Sequence, residues 1–143
     1  MNEKILVVDD DSFVREFIAE TLIRKNYDVI EADSGEKAID MISRDMFDMI
    51  ITDLKMPRMS GLEMMTALRK AGNNVPVILT TFYGSEQTAI QAFRLGARDY
   101  LVKPYDMEDM LESVELDHDG DGVTDGPVTI LSADQDPFVA GTQ

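Results

Sequence analysis

Three nearly unbroken apolar runs constrain this chain more than anything else in it: "KILVV" (4–8), "DMIIT" (48–52) and "VPVILTT" (75–81). A strand with one face in water alternates apolar and polar residues. A strand of a parallel sheet is covered on both faces and reads as a continuous apolar stretch. "DVIEA" (28–32) and "DYLV" (99–102) are shorter strand candidates. Between these runs the spacing turns helical. Phe13, Phe17, Ile18 and Leu22 form one expected apolar stripe, and Met107, Met110, Leu111 and Val114 another. Ser60 with Glu63 makes a capping box that opens 61–70, Asp33 or Ser34 can cap the helix through Ile42, and Gly84 or Ser85 starts 85–95. Strand and helix alternate five times, which predicts a doubly wound α/β domain. Most of the ten methionines fall on the core stripes and are expected to be packing residues.

Composition removes several classes of function. With 44% hydrophobic and 29% charged residues the chain reads as globular. No apolar run approaches the roughly 20 residues of a membrane span. The N-terminus "MNEKILVVDDD" turns acidic too soon for a signal peptide. There is no cysteine, hence no disulfide framework, and a cytoplasmic setting is expected. A net charge of −15 argues against a nucleic-acid surface. That charge is uneven: residues 117–143 carry six acids and no Lys or Arg, so the tail is compositionally a different segment.

In a sheet of this kind ligands bind beyond the C-terminal strand ends. Strand one runs into Asp9, Asp10 and Asp11, strand three into Asp53, strand four ends in Thr80 and Thr81, and strand five runs into Lys103-Pro104. Each alone has a bland reading as a solvated loop, a turn residue or a strand end. Together they bring carboxylates, hydroxyls and one ammonium to a single rim. Converging carboxylates repel, so either a hard divalent cation sits among them or some are protonated. An all-oxygen set suits Mg²⁺, and a lysine and a hydroxyl opposite it would complete a holder for a phosphoryl group.

The residues "ILVVDDD", "DMIITDLKMPRMSGLE", "VPVILTT" and "GARDYLVKPY" resemble the receiver domain of two-component response regulators over roughly residues 3–115. The resemblance implies a flavodoxin-like five-stranded parallel sheet in the order 2-1-3-4-5 with five flanking helices. It also implies reversible phosphorylation of an aspartate by a partner's phosphohistidine. Position by position, Asp53 matches the phosphoacceptor, followed by the "MP" turn at Met56-Pro57. Asp9 and Asp10 match the acidic pair for Mg²⁺ (or Mn²⁺ in its place), with Asp10 expected as a direct ligand and Asp9 acting through water. The Lys55 carbonyl is expected as a further metal oxygen. Lys103 matches the phosphoryl-pairing lysine, with Pro104 after it in a peptide that is often cis in this family. Tyr100 stands where the family has its aromatic switch, and Asp11 is expected to cap the helix 12–25.

The switch hydroxyl could belong to Thr80 or Thr81. Family spacing to Gly96 and Lys103 favours Thr81. The following residue is usually small in the family but is Phe82 here, and a large ring would narrow access to the phosphorylation site.

The tail poses two separate questions. Asp117, Asp119, Asp121 and Gly122 match the first half of an EF-hand calcium loop, and Asp125 could add a ligand. The closing position is Val128 instead of glutamate, so a Gly/Asp-rich linker is the preferred reading and Ca²⁺ the weaker one. Further on, "ILSADQDPFV" (130–139) echoes "ILVVDDDSFV" (5–14), with six of ten positions identical. The expected organisation is therefore a receiver over 1–115, a linker over 116–127, and an extension over 128–143 that could start a second receiver-like unit. Chance similarity is the alternative.

The expected partners are a sensor histidine kinase or phosphotransfer protein, together with an output domain or downstream protein outside this chain. No membrane or direct nucleic-acid contact is expected, and a homodimer is left open. The chain is expected to be no enzyme beyond its own phosphorylation and dephosphorylation. One rival is a pseudo-receiver that only docks. Another is an Mg²⁺-dependent aspartyl phosphatase, which needs D-x-D-x-[TV] after strand one; Asp9 to Phe13 does not supply it.

Overall fold

The computed structural model describes residues 2–82, 84–103, 106–119 and 130–131. Its elements run β1 (Lys4–Val8), α1 (Ser12–Arg24), β2 (Asp28–Ala32), α2 (Gly35–Arg44), β3 (Met49–Asp53), α3 (Gly61–Lys70), β4 (Val77–Thr81), α4 (Glu86–Arg94), β5 (Asp99–Val102), α5 (Met107–Asp119) and β6 (Ile130–Leu131). The five expected strands pair in parallel in the order 2-1-3-4-5, and β6 adds to the β5 edge.

Strand alternation divides the core in two. Leu6, Val8, Ile50, Leu79 and Tyr100 face one side, where Ala38, Met64, Met65, Ala89 and Ala92 of α2, α3 and α4 cover them. Ile5, Val7, Ile51, Ile78 and Leu101 face the other, under Ile18 and Leu22 of α1 and Met110 and Val114 of α5. Removing each large side chain of this kind from water contributes about 1.5–3 kcal/mol. That explains why β1, β3 and β4 had to be apolar on both faces.

Helix starts follow the expected chemistry. The Asp11 side chain accepts from the backbone N–H of Phe13 and Val14, Ser34 rather than Asp33 caps α2, and Ser60 with Glu63 closes a reciprocal capping box on α3. A second such box, Ser85 with Thr88, opens α4.

The structure corrects the α1 stripe. Ile18 and Leu22 are buried, but Phe13 is 79% and Phe17 51% exposed. The face on the sheet is Val14, Ile18, Ala19 and Leu22. Residues one position earlier lie about 100° around the helix and point to water. Helix α5 also continues to Asp119, four residues into the segment read as linker, and Gly120 is the first residue there with poor helix propensity.

Gly61 is forced by packing. A Cβ there would lie 2.6 Å from the Asp53 carbonyl oxygen and 2.9 Å from Leu79 Cδ2, and its N–H donates to Leu54 O at 2.8 Å. The backbone oxygen cannot yield as a flexible side chain could, so α3 starts against the end of β3 only with glycine. Gly61→Ala should lower stability by about 1–3 kcal/mol. Its urea midpoint would show this, and an unchanged midpoint would refute so close an approach.

Candidate functional site

The C-terminal rim of the sheet brings Asp9, Asp10, Asp53 and Lys103 together. Asp53 ends β3, and Lys103 lies one residue past β5 with its backbone N–H on Thr81 O at 2.7 Å. The acidic turn after β1 is fixed from within: Asp9 Oδ1 accepts from Asp11 N–H at 2.9 Å, a short Asx-type bond. Arg15 steadies the same turn, its Nη1 donating to Asp9 O at 2.9 Å while its Nε pairs with Glu31 at 2.8 Å.

One carboxylate oxygen from each of Asp9, Asp10 and Asp53 lies within 4.8 Å of the other two. Against them stands one ammonium. Lys103 Nζ donates to Asp53 Oδ1 at 3.2 Å and lies 3.7 Å from Asp9 Oδ2, with its side chain only 9% exposed. The charges do not balance. Burial, and then the neighbouring Asp9 charge, push the Asp53 carboxyl up to about 6, with Lys103 opposing. Burial likewise raises Asp9, opposed by the Asp11 N–H and Lys103.

One further observation bears on a metal. Asp9 Oδ2 is buried and, among the described residues, accepts no hydrogen bond. A buried carboxylate oxygen without a donor is costly, and a hard cation would satisfy it. The all-oxygen donor set, with Asp10 exposed at the mouth, fits Mg²⁺. Lys55, whose carbonyl was expected to contribute, is exposed two residues beyond Asp53.

Alternation places the two threonines on opposite faces. Thr81 shares the face of Leu79 and Tyr100, whereas Thr80 stands with Ile78 and Leu101; both are buried. Tyr100 is fully buried, with its ring edge-on to Phe93 at 6.4 Å and its hydroxyl 2.6 Å from Thr88 Oγ1. The ring is thus already inside, tied to the first turn of α4. Sequence reasoning missed Thr88. The S-x-x-T spacing signals the cap but not the contact with a residue twelve positions later. It also missed Ser113, which donates to the buried Asp99 at 2.5 Å. Pro104, Asp121 and Asp125 lie outside the described residues, as do the side chains of Asp117 and Asp119, so the calcium expectation falls there too.

The chain belongs to the response regulator receiver family: the family model for the response regulator receiver domain matches residues 5–115. It is 35% identical over 136 residues to the response regulator protein FleR of Pseudomonas aeruginosa, covering 93% of this chain and 29% of FleR. It is 40% identical over 111 residues to the response regulator MprA of Mycobacterium bovis, covering 78% of this chain and 48% of MprA. The chain therefore spans less than half the length of these relatives. Among solved structures, the Francisella response regulator 1452 receiver domain superposes with a TM-score of 0.77 at 31% identity, covering 80% of this chain and 95% of that one. Thermotoga maritima TrrA, solved in complex with Mg²⁺ and beryllofluoride, gives 0.72 at 32% identity, covering 79% and 96%. Receivers of this family are signalling modules that work through phosphorylation, not enzymes in the ordinary sense. No described helix is long and apolar enough to cross a membrane.

The raised Asp53 carboxyl has a consequence for stability. Well below its ordinary value of 3.8 the group is neutral in both folded and unfolded chains. As pH rises through about 6 the folded protein must ionise it against burial and Asp9, so stability is lost over that window. With chelator present, Asp53→Asn should therefore be more stable than the parent by about 1–2 kcal/mol at pH 8, with a smaller gain near pH 4. Urea unfolding at both pH values measures it, and a parent that is the more stable at pH 8 would contradict the assignment.

Proposed function

We propose that this chain is the phosphoacceptor receiver of a two-component pathway and takes a phosphoryl group onto Asp53 from a phosphohistidine of a sensor histidine kinase or phosphotransfer protein. The observation that carries the reading is the convergence of Lys103 Nζ, 3.2 Å from Asp53, with three clustered carboxylates, one of which has a buried oxygen that accepts no hydrogen bond among the described residues.

In the transfer an Asp53 oxygen forms the bond to phosphorus as the phosphorus–nitrogen bond of the donor breaks, and the electron pair stays on the imidazole. Little covalent chemistry is left to the protein, so its part is positioning and charge. Lys103 stands beside the accepting oxygen, where it can pair with the phosphoryl oxygens. Asp9, Asp10, Asp53 and the Lys55 carbonyl would hold Mg²⁺, or Mn²⁺ in its place, which when bound neutralises charge on those oxygens. The complex of TrrA with Mg²⁺ and beryllofluoride supports this reading by likeness.

Thr81 is the hydroxyl that would answer the modification. It ends β4, on the face of the sheet that carries Tyr100. The buried Tyr100, bonded to Thr88, would carry a change at Thr81 to the start of α4. A cytoplasmic location, an output partner outside this chain, and a second receiver-like unit beginning within 128–143 complete the proposal. For the last, the support is that Ile130 and Leu131, which form β6, are the residues that echo Ile5 and Leu6 of β1.

Incubation with acetyl phosphate and Mg²⁺ should add one phosphoryl group, located at Asp53 by peptide mapping. Asp53→Asn should abolish the label, and Lys103→Ala should slow it by roughly 10²-fold. A label on Asp9 or Asp11 would make the protein a phosphatase-type enzyme instead. Absence of both label and beryllofluoride binding would make it a docking module.

A further inference from the structure

Phe82 lies beside Lys103, and that environment gives it a role. It follows Thr81 directly out of β4, and 60% of its surface is exposed. A ring so exposed gains little from burial. Lys103 Nζ lies 4.8 Å from its centroid. The same ammonium donates to Asp53 on its other side, and its side chain is nearly buried. A cation over an aromatic face binds more strongly when partly desolvated, as here. One ammonium is thus shared between the acceptor carboxylate and the ring.

We propose that Phe82 is a positioning residue that Lys103 pins across the mouth of the Asp53 site, where it screens the aspartyl phosphate from water and prolongs its life. The inference rests on the receiver reading above. Hydrolysis forms a bond from a water oxygen to phosphorus and breaks the bond between phosphorus and Asp53. The electron pair stays on the carboxylate, inorganic phosphate leaves, and a water proton passes to solvent. The water must approach phosphorus from the side away from Asp53, which is the open side of the rim. Lys103, engaged with the phosphoryl oxygens, remains beside Asp53 and keeps the ring over that opening. Bulk alone would not serve, since an exposed aliphatic side chain has no face for the ammonium and can swing into solvent. Because Phe82 is mostly exposed, replacing it leaves the core untouched.

The test uses the whole chain, phosphorylated by acetyl phosphate with Mg²⁺ and then freed of donor, with loss of label followed over time. Phe82→Ala and Phe82→Leu should both lose phosphate roughly three- to ten-fold faster, the size expected of a partly desolvated cation–π contact. Phe82→Tyr, which keeps the aromatic face, should restore the parent rate. In NMR spectra without donor, the Lys103 ε-methylene protons should be shifted upfield by the ring in the parent and Phe82→Tyr, and not in Phe82→Leu. An unchanged or slower rate in Phe82→Ala, a parent-like rate in Phe82→Leu, or no ring-current shift would overturn the role of the ring. If no variant and not the parent acquires label at Asp53, the receiver reading fails and this inference falls with it, whatever the Lys103 shift shows.

Discussion

The parallel register of β1, β3, β4 and β5 is the constraint from which the functional arrangement follows. Parallel strands all end on one rim, so the residues that follow each strand are brought together without needing contacts of their own. Asp53 pairs with Thr80, and Thr81 with Val102, immediately before Lys103. A slip of one residue in any strand would turn its buried face outward and carry its terminal residue off the rim. The apolar runs therefore secure position as well as stability. Gly61 belongs to the same constraint, because α3 must begin against the Asp53 carbonyl for the loop after β3 to turn at the site.

Charge imbalance is what the register creates. Among the described residues, three carboxylates meet one ammonium, and Asp9 Oδ2 accepts no hydrogen bond. The fold sustains this strain because hydrophobic packing on both faces of the sheet far exceeds it. An excess of carboxylates of this kind favours positive charge among them. Burial first, and then neighbouring acids, raise the Asp9 and Asp53 carboxyls, and the same buried acidic setting would favour a cation.

How legible this was in the sequence depended on whether a signal is periodic or spatial. Strand runs, caps and the rim residues Asp9, Asp10, Asp53 and Lys103 announce themselves through period, turn chemistry and position after a strand. Residue type alone does not distinguish Thr80 from Thr81, whereas the register of β4 against β5 places them on opposite faces of the sheet. Phe13 and Phe17 misled because a large apolar residue near a stripe is counted as part of it, although only a 100° step separates the buried face from the wet one. Thr88 was illegible for another reason. Its hydroxyl serves the cap of α4 by a local rule and Tyr100 by tertiary placement, and only the first leaves a mark in spacing. Strand β6 was foreshadowed by the echo of β1, yet nothing in that echo says which edge it would join.

The Thr88 hydroxyl explains how a small event at the rim could reach a helix. It caps α4 through Ser85 while touching the Tyr100 hydroxyl, so the start of α4 and the buried ring share one hydrogen-bond network. Gly84 tightens the link, because a Cβ there would meet Val102 Cγ2 at 2.7 Å and the Tyr100 ring just beyond. Thr81 is anchored at the end of β4, and the start of α4 is tied to Tyr100 through Thr88. Displacement at Thr81 must either be resisted or passed to α4, since packed interiors deform poorly by small increments. Phe82 lies between these two anchors. The residue proposed to cover the site and the hydroxyl proposed to answer phosphorylation are thus consecutive in the chain.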